Sequence, residues 1–360
     1  MQKILILNLG ATSTKMAVCD EETVILEKNI KITSEELSKF NGIWEQTDMR
    51  QKAILSVMKD AGIGIKDISI IVSRGGNCSP LESGIYTINK DMLDDIKTER
   101  WGIHPSSVGC QIAYDLGQEN NIPVVTVDPP VTDEFEKLAR YSGLKEFDRI
   151  SSFHALSQKS TARKICKEKL NKNYEDVNLI VCHLGTGISV GAHQKGKVID
   201  VNNALDGDGP FSAERAGALP TGGLIDMCFS GKFTQKEILK KIRSGGGFMS
   251  YIGTNDGFAI EKSVTDGDAY VKEVVDALIY QLAKEIGAMA TVMCGKVDAI
   301  AITGSFAYFK YLIEELKKRI SFIGEIYTDP GENEMRALKE GALRALRKQE
   351  TPKTYVRYAK

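Results

Sequence analysis

Ile4-Leu5-Ile6-Leu7-Asn8-Leu9-Gly10-Ala11-Thr12-Ser13-Thr14-Lys15 joins an apolar run to a small, hydroxylated turn that ends in a cation. A second apolar run, Met16–Cys19, follows at once, and a third candidate strand spans Thr23–Ile30. About half the chain later the order recurs. Leu179-Ile180-Val181-Cys182 leads into His183-Leu184-Gly185-Thr186-Gly187, then Ile188–Ala192 and a run around Lys197–Val201. Short apolar runs punctuated by glycine read as strand, tight turn, strand. Any two hairpins share part of this pattern, but here the flanking strands recur in the same order. That recurrence predicts a duplicated domain.

Working outward, other apolar runs also stop at distinctive residues. Ile68–Ser73 leads to Arg74-Gly75-Gly76, Val124–Val127 to Asp128-Pro129-Pro130, and Val297–Thr303 to Gly304-Ser305. Helical stretches are expected at Asp91–Lys97, Ser157–Leu170, Asp268–Cys294, Ala307–Lys318 and Arg336–Arg347. Strands alternating with helices predict an α/β chain. In open α/β sheets ligands bind beyond the carboxyl ends of the strands. Topology therefore places Asn8, Arg74, Asp128, His183 and Gly304 where a ligand would sit.

Composition sets bounds on these readings. The 360 residues are 42% hydrophobic and 26% charged, as in a globular protein of about two domains. Lys plus Arg number 47 against 48 Asp plus Glu, which argues against a nucleic-acid partner. No apolar run approaches the ~20 residues of a membrane span, and the opening segment is too short for a secretory signal. Seven scattered cysteines without a CxxC pair read as buried thiols in a reducing cytoplasm.

The turn Gly10–Lys15 could cradle phosphate with backbone N–H groups and the hydroxyls of Thr12, Ser13 and Thr14. It lacks the Walker A spacing, and alone it reads equally as a structural hairpin. Gly185-Thr186-Gly187 on the second copy makes a pair of phosphate turns. Of the four histidines, His104 precedes Pro105-Ser106-Ser107, His154 sits in Ser151-Ser152-Phe153-His154-Ala155 and His183 ends a core strand, whereas His193 reads as structural, on a loop before Lys195-Gly196-Lys197. No zinc-binding spacing occurs. Arg215 closes the loop Asp206-Gly207-Asp208-Gly209-Pro210-Phe211-Ser212-Ala213-Glu214-Arg215. It either binds phosphate through its guanidinium fork or pairs with Glu214 or Asp208. Gly245-Gly246-Gly247 reads as a flexible segment ahead of a nucleotide contact around Thr254-Asn255-Asp256. Glu334, in Asp329-Pro330-Gly331-Glu332-Asn333-Glu334, either reaches a metal-bound water or complements the dipole of the last helix.

These motifs resemble the acetokinase family, within the superfamily of acetate kinases, sugar kinases, heat-shock ATPases and actin, and within that family the butyrate kinases. The resemblance spans nearly the whole chain. It rests on Asn8–Lys15, His183–Gly187, the block Val201–Arg215, Tyr280–Ala290 and Pro330–Met335. It implies two duplicated βββαβα domains of the ribonuclease H-like, actin-type kind flanking ATP. They would comprise residues 1–150 with 335–360, and residues 151–334. It further implies ATP/ADP and Mg²⁺ as cofactors, a short-chain carboxylate substrate, a homodimer or larger homo-oligomer, and a cytoplasmic location.

By motif match, Asn8 and Glu334 would serve the Mg²⁺–phosphate end. His154, His183 and Arg215 would contact the transferring phosphoryl group, Asp128 would line the reacting centre, and Arg74 would hold the carboxylate. Asp256, Gly304 and Ser305 would face the nucleotide, and His104 matches a supporting histidine. The chain departs from the family at Ser73, where glycine is common, at Phe258, where arginine is usual, and at Ser305, which replaces a glycine of the adenosine motif. The expected reaction is phosphorylation of butyrate by ATP. The alternatives are a branched-chain, propionate or acetate kinase, or a nucleotide-binding relative without catalysis.

Overall fold

The computed structural model describes residues 2–357. They form two compact units, one running to Thr132 and resuming at Glu334, the other spanning Asp133–Asn333. The strands are β1 (Lys3–Leu9), β2 (Ser13–Cys19), β3 (Val24–Lys31), β4 (Ile68–Ser73), β5 (Ile85–Thr87) and β6 (Val124–Val127). They continue with β7 (Asn178–Leu184), β8 (Ile188–Gln194), β9 (Lys197–Val201), β10 (Ala299–Gly304), β11 (Glu325–Pro330) and β12 (Lys353–Thr354).

The first sheet runs β12-β5-β6-β4-β1-β2-β3 and the second β11-β10-β7-β8-β9. In the first, β1 pairs antiparallel with β2 and parallel with β4, and β4 is parallel to β6. In the second, β7 pairs antiparallel with β8 and parallel with β10, and β10 is parallel to β11. Five strands of each sheet thus share one order and one set of directions, so the duplication is real. The first copy adds β5 and β12 at one edge.

Continuous apolar runs make the central strands because both faces are covered. Ile4 to Leu7 and Leu179 to Cys182 are all buried. Helices Ser106–Asn120 and Glu334–Leu346 pack on β1, β4 and β6, and helices Ala155–Ile165 and Ala269–Val292 pack on the second sheet. The long helix starts where Asp268 caps it, its Oδ1 accepting from Val271 N at 3.0 Å. Among the described residues no helix is long and apolar enough to cross a membrane.

Several expectations shift. The sequence reading divided the chain at 150, but residues 133–150 belong to the second unit. Arg149 pairs with Asp200 at 2.9 Å, and Glu136 N donates to Ile199 O at 3.0 Å, so the segment is fastened to β9. The expected helix Ser157–Leu170 begins at Ala155 and gives way to a wider π turn at Cys166–Leu170. His193 lies in β8 rather than a loop, because the hairpin needs only Lys195 and Gly196, both at positive φ. Asp329 and Pro330 end a strand, β11, whose weak apolar pattern hid it. The Gly245–Gly247 segment is packed rather than flexible: a Cβ on Gly247 would lie 1.8 Å from Ser212 O.

Candidate active site

In the first unit, three parallel strands end at Asn8, Arg74 and Asp128, and Glu334 opens the helix that packs on them. Asn8 Nδ2 donates to Glu334 Oε2 at 2.7 Å, and Arg74 Nη2 stands 3.0 Å from Glu334 Oε1. Both oxygens of this carboxylate are therefore engaged, which accounts for its fixed place. Arg74 N donates to Leu7 O at 3.1 Å, and Gly75 (φ 94°) lets the chain pass close to Pro129, where a Cβ would come within 2.7 Å. Asp128 is buried and also sits at positive φ, 39°, uncommon for a residue with a side chain. Its Oδ1 accepts from Gly84 N at 2.8 Å. His104 Nδ1 meets Ser106 Oγ at 2.8 Å, at the start of helix Ser106–Asn120.

The turn after β1 closes with Gly10 N donating to Ser13 O at 2.9 Å. Ala11 and Thr12 are exposed and Thr14 is buried. Lys15 lies inside β2 and pairs with Glu27 at 3.3 Å on the neighbouring strand, so it is not poised over the turn. Arg50, which the sequence reading passed over, reaches this turn from beneath. Its Nη1 donates to Ser13 O and Thr14 Oγ1 and its Nη2 to Ala11 O, each at 3.0 Å.

In the second unit, His154 and His183 stack with ring centroids 3.9 Å apart and planes 13° from parallel. His183 Nδ1 meets Ser157 Oγ at 2.9 Å and His154 Nδ1 meets Ser189 Oγ at 2.8 Å. A buried relay sets the second of these contacts. Gln158 Nε2 donates to Ser189 O at 3.0 Å, which fixes the amide orientation, and to Ser189 Oγ at 2.8 Å. His154 N also donates to Ser189 Oγ at 3.5 Å, which takes the second lone pair, so Ser189 gives its own proton to His154 Nδ1 and neutral His154 carries its hydrogen on Nε2. Gln158 Oε1 accepts from His193 Nε2 at 2.8 Å, and His193 Nδ1 accepts from Tyr174 OH at 2.7 Å. Burial, with Lys159 and Arg163 nearby, holds the His193 pKa well below its ordinary value and keeps the ring neutral. His193 is structural, as expected, but it is one link in the chain that orients His154.

Gly185 N donates to Gly187 O at 3.1 Å to close the second turn, and Ser212 Oγ donates to Thr186 O at 2.5 Å. A Cβ on Gly185 would stand 3.2 Å from His183 Nε2, and one on Gly187 only 2.0 Å from Arg215 Nη1. The Arg215 guanidinium therefore lies against the turn. It donates to Ala204 O at 2.5 Å, while its buried Nε has no hydrogen-bond partner among the described residues. It pairs with neither Glu214 nor Asp208. Glu214 accepts from Asn255, and Asp208 faces Arg149. Burial lowers its pKa against the opposing pull of Glu214 and Asp206, and a guanidinium stays charged regardless. A half-buried, partly satisfied cation at a glycine turn suits an anionic ligand.

Beside this turn lies a cavity of ≈ 240 Å³, lined in part by Thr186, Asn255, Phe258, Ser305, Phe306 and Tyr308. Its aromatic walls and few polar groups suit a flat heterocycle. Gly304 (φ 95°) cannot carry a side chain, since a Cβ would fall 2.2 Å from Leu184 O. Asp256 spends Oδ1 on capping helix Gly257–Thr265, accepting from Phe258 N at 3.0 Å. Larger surface cavities, by Lys66 and Asn120, by Asp208 and Glu285, and by Leu55 and Ile65, contain none of the predicted site residues. Among the described residues no cluster of three or more His, Cys, Asp or Glu forms a metal cage. The single carboxylate of Glu334 with the Asn8 amide fits Mg²⁺ carried in with phosphates and waters, the usual habit of that ion.

This fold is shared with solved kinases. The chain is similar to acetate kinase from Porphyromonas gingivalis (17% identity, TM-score 0.77, 95% of this chain and 99% of that one). It is likewise similar to a propionate kinase from Francisella tularensis (20%, TM-score 0.71, 94% and 99%) and to acetate kinase from Entamoeba histolytica (17%, TM-score 0.75, 95% and 99%). By architecture it has the fold of the acetate kinases. The model of the acetokinase family matches residues 141–353, more than half of the sequence, and the chain belongs to that family.

Proposed function

We propose that the protein phosphorylates a short-chain carboxylate with ATP, with butyrate or a branched analogue as the acceptor. The observation that carries this reading is Arg215, a half-buried cation with a buried, unsatisfied Nε, set against a glycine turn in a family of carboxylate kinases. Support for butyrate comes from the stretches Val201–Arg215 and Tyr280–Ala290, which resemble butyrate kinases.

A carboxylic acid has a pKa of about 4 to 5, so at neutral pH the acceptor is already ionised and no general base is required. One carboxylate oxygen bonds to the γ-phosphorus, the bond from that phosphorus to the ADP oxygen breaks, and ADP leaves with the electron pair. The obstacle is bringing two anions together, so positive charge and positioning supply the catalysis. In the second unit, Arg215 and the Nε2–H of His154 donate to the equatorial phosphoryl oxygens, with His183 stacked against His154 to hold its plane. Thr186 and the Gly185–Gly187 turn bind the nucleotide phosphates, and the cavity by Phe258 and Ser305 takes the base. In the first unit, Arg74 holds the carboxylate, Asp128 lines the reacting centre, the turn Gly10–Thr14 contacts nucleotide phosphate, and Asn8 and Glu334 would hold Mg²⁺. Bound Mg²⁺ neutralises phosphate charge.

The test is turnover of Mg²⁺-ATP against a series from acetate to valerate with isobutyrate, trapping acyl phosphate as hydroxamate. A maximum at butyrate or isobutyrate is expected. A maximum at acetate or propionate would move the acceptor assignment to those acids. Silence with every acid, in folded protein that binds ADP, would replace it with the non-catalytic reading.

A further inference from the structure

Arg50 is the largest buried charge that this chemistry leaves unexplained. It is 1% exposed, on helix Thr47–Asp60 of the first unit. Its remaining donors go to Gln46 Oε1, from Nε at 3.1 Å and from Nη2 at 2.9 Å. Every acceptor it meets is neutral, and among the described residues no carboxylate pairs with it. Burial alone lowers its pKa, with no charged neighbour contributing. A buried ion without a counterion is costly, and a fold that needed only to brace the turn could do so with a neutral donor.

We infer that Arg50 is a positioning residue for phosphate, and that the bound nucleotide supplies the negative charge the fold withholds. This rests on the proposed kinase reading. Two effects act together. The carbonyl and N–H of one trans peptide point in opposite directions. Holding the Ala11 carbonyl toward Arg50 therefore turns the Thr12 N–H outward, to the side where Ala11 and Thr12 are exposed. The guanidinium also lends its charge to the turn from behind, where burial keeps it poorly screened.

Gln46→Glu tests this without removing Arg50, because it places a carboxylate on the atom that Arg50 already uses. Calorimetry of the full chain would compare ADP with uncharged adenosine. The variant should melt at a higher temperature without ligand, yet lose about tenfold in ADP affinity with adenosine binding unchanged. In turnover, the loss should fall on KM for ATP. A purely structural Arg50 would give the higher melting temperature with an unchanged preference for ADP over adenosine, and that result overturns the inference. Wild-type protein that shows no preference for ADP over adenosine would instead overturn the phosphate-site reading itself. Arg50→Lys, which keeps the charge, should lose less ADP affinity than Arg50→Met; equal losses would also overturn the inference.

Discussion

The two glycine turns descend from one pattern, and each has an arginine beside it, but the arginines are spent differently. Arg50 lies under the Gly10–Ser13 turn with its donors committed to Gln46, Ala11, Ser13 and Thr14. Arg215 lies against Gly187 with a bond to Ala204 O and a buried Nε without a partner among the described residues. A guanidinium whose bonds are filled can shape a turn and add charge, but it cannot take hold of a substrate. One left partly unsatisfied in a folded protein is held ready for a ligand. The duplication thus supplied the same scaffold twice, and on the proposed reading the two copies divide positioning from contact.

The sharpest way to break this division is Arg215→Ala. Loss of an electrostatic donor in the transition state costs about a thousandfold in kcat, and the fold should survive because the side chain makes few internal bonds. Near-normal turnover in the folded variant would remove Arg215 from the reaction. Gly187→Ala comes next. Its Cβ would collide with Arg215 Nη1, and displacing a catalytic group by about 1 Å costs on the order of a hundredfold. Steady-state kinetics on a variant with unchanged circular dichroism would check it.

A pH effect sharpens the comparison from another side. Glu285, on helix Ala269–Val292, faces Asp208 in the loop that carries Arg215. Burial first, then Asp208, raise its pKa to about 7, with Asp200 adding to the rise and Arg149 opposing it. The native state keeps a proton there that the unfolded chain gives up above 4.5, so stability falls as pH rises from about 4.5 to 7. The drop should be about 3 kcal/mol. Thermal melts across that range should flatten in Glu285→Gln, and an unchanged slope would contradict the assignment. The smallest effect belongs to Gly10→Ala, whose Cβ would only press a rotatable Ser13 Oγ at 3.2 Å. Its kinetics should change far less than those of Gly187→Ala.

Much of this frame is legible in the sequence because it is written in contiguous residues. The two strand–turn–strand patterns and the strands ending at Arg74 and Asp128 are local signals, and each falls where the reading placed it. The Asn8–Glu334 and Arg74–Glu334 contacts are not local, and only topology brings those carboxyl ends to the start of the last helix. Arg50 escaped because a single arginine in Asp48-Met49-Arg50-Gln51-Lys52 reads as a solvated helix face. The Tyr174–His193–Gln158–Ser189 relay escaped because each member is unremarkable in its own neighbourhood. Lys15 misled for the opposite reason: a cation after a hydroxylated turn suggests phosphate, but strand alternation carries it to Glu27.

The most direct measurement follows the oxygen atoms. Butyrate labelled with heavy oxygen in its carboxyl group would be incubated with the wild-type protein and Mg²⁺-ATP, and the products read by phosphorus NMR. Direct attack of the carboxylate on phosphorus predicts an acyl phosphate resonance carrying the isotope shift of a labelled bridging oxygen, with ADP formed in equal amount. ADP accompanied only by inorganic phosphate, with no acyl phosphate from butyrate or its neighbours, would contradict the account.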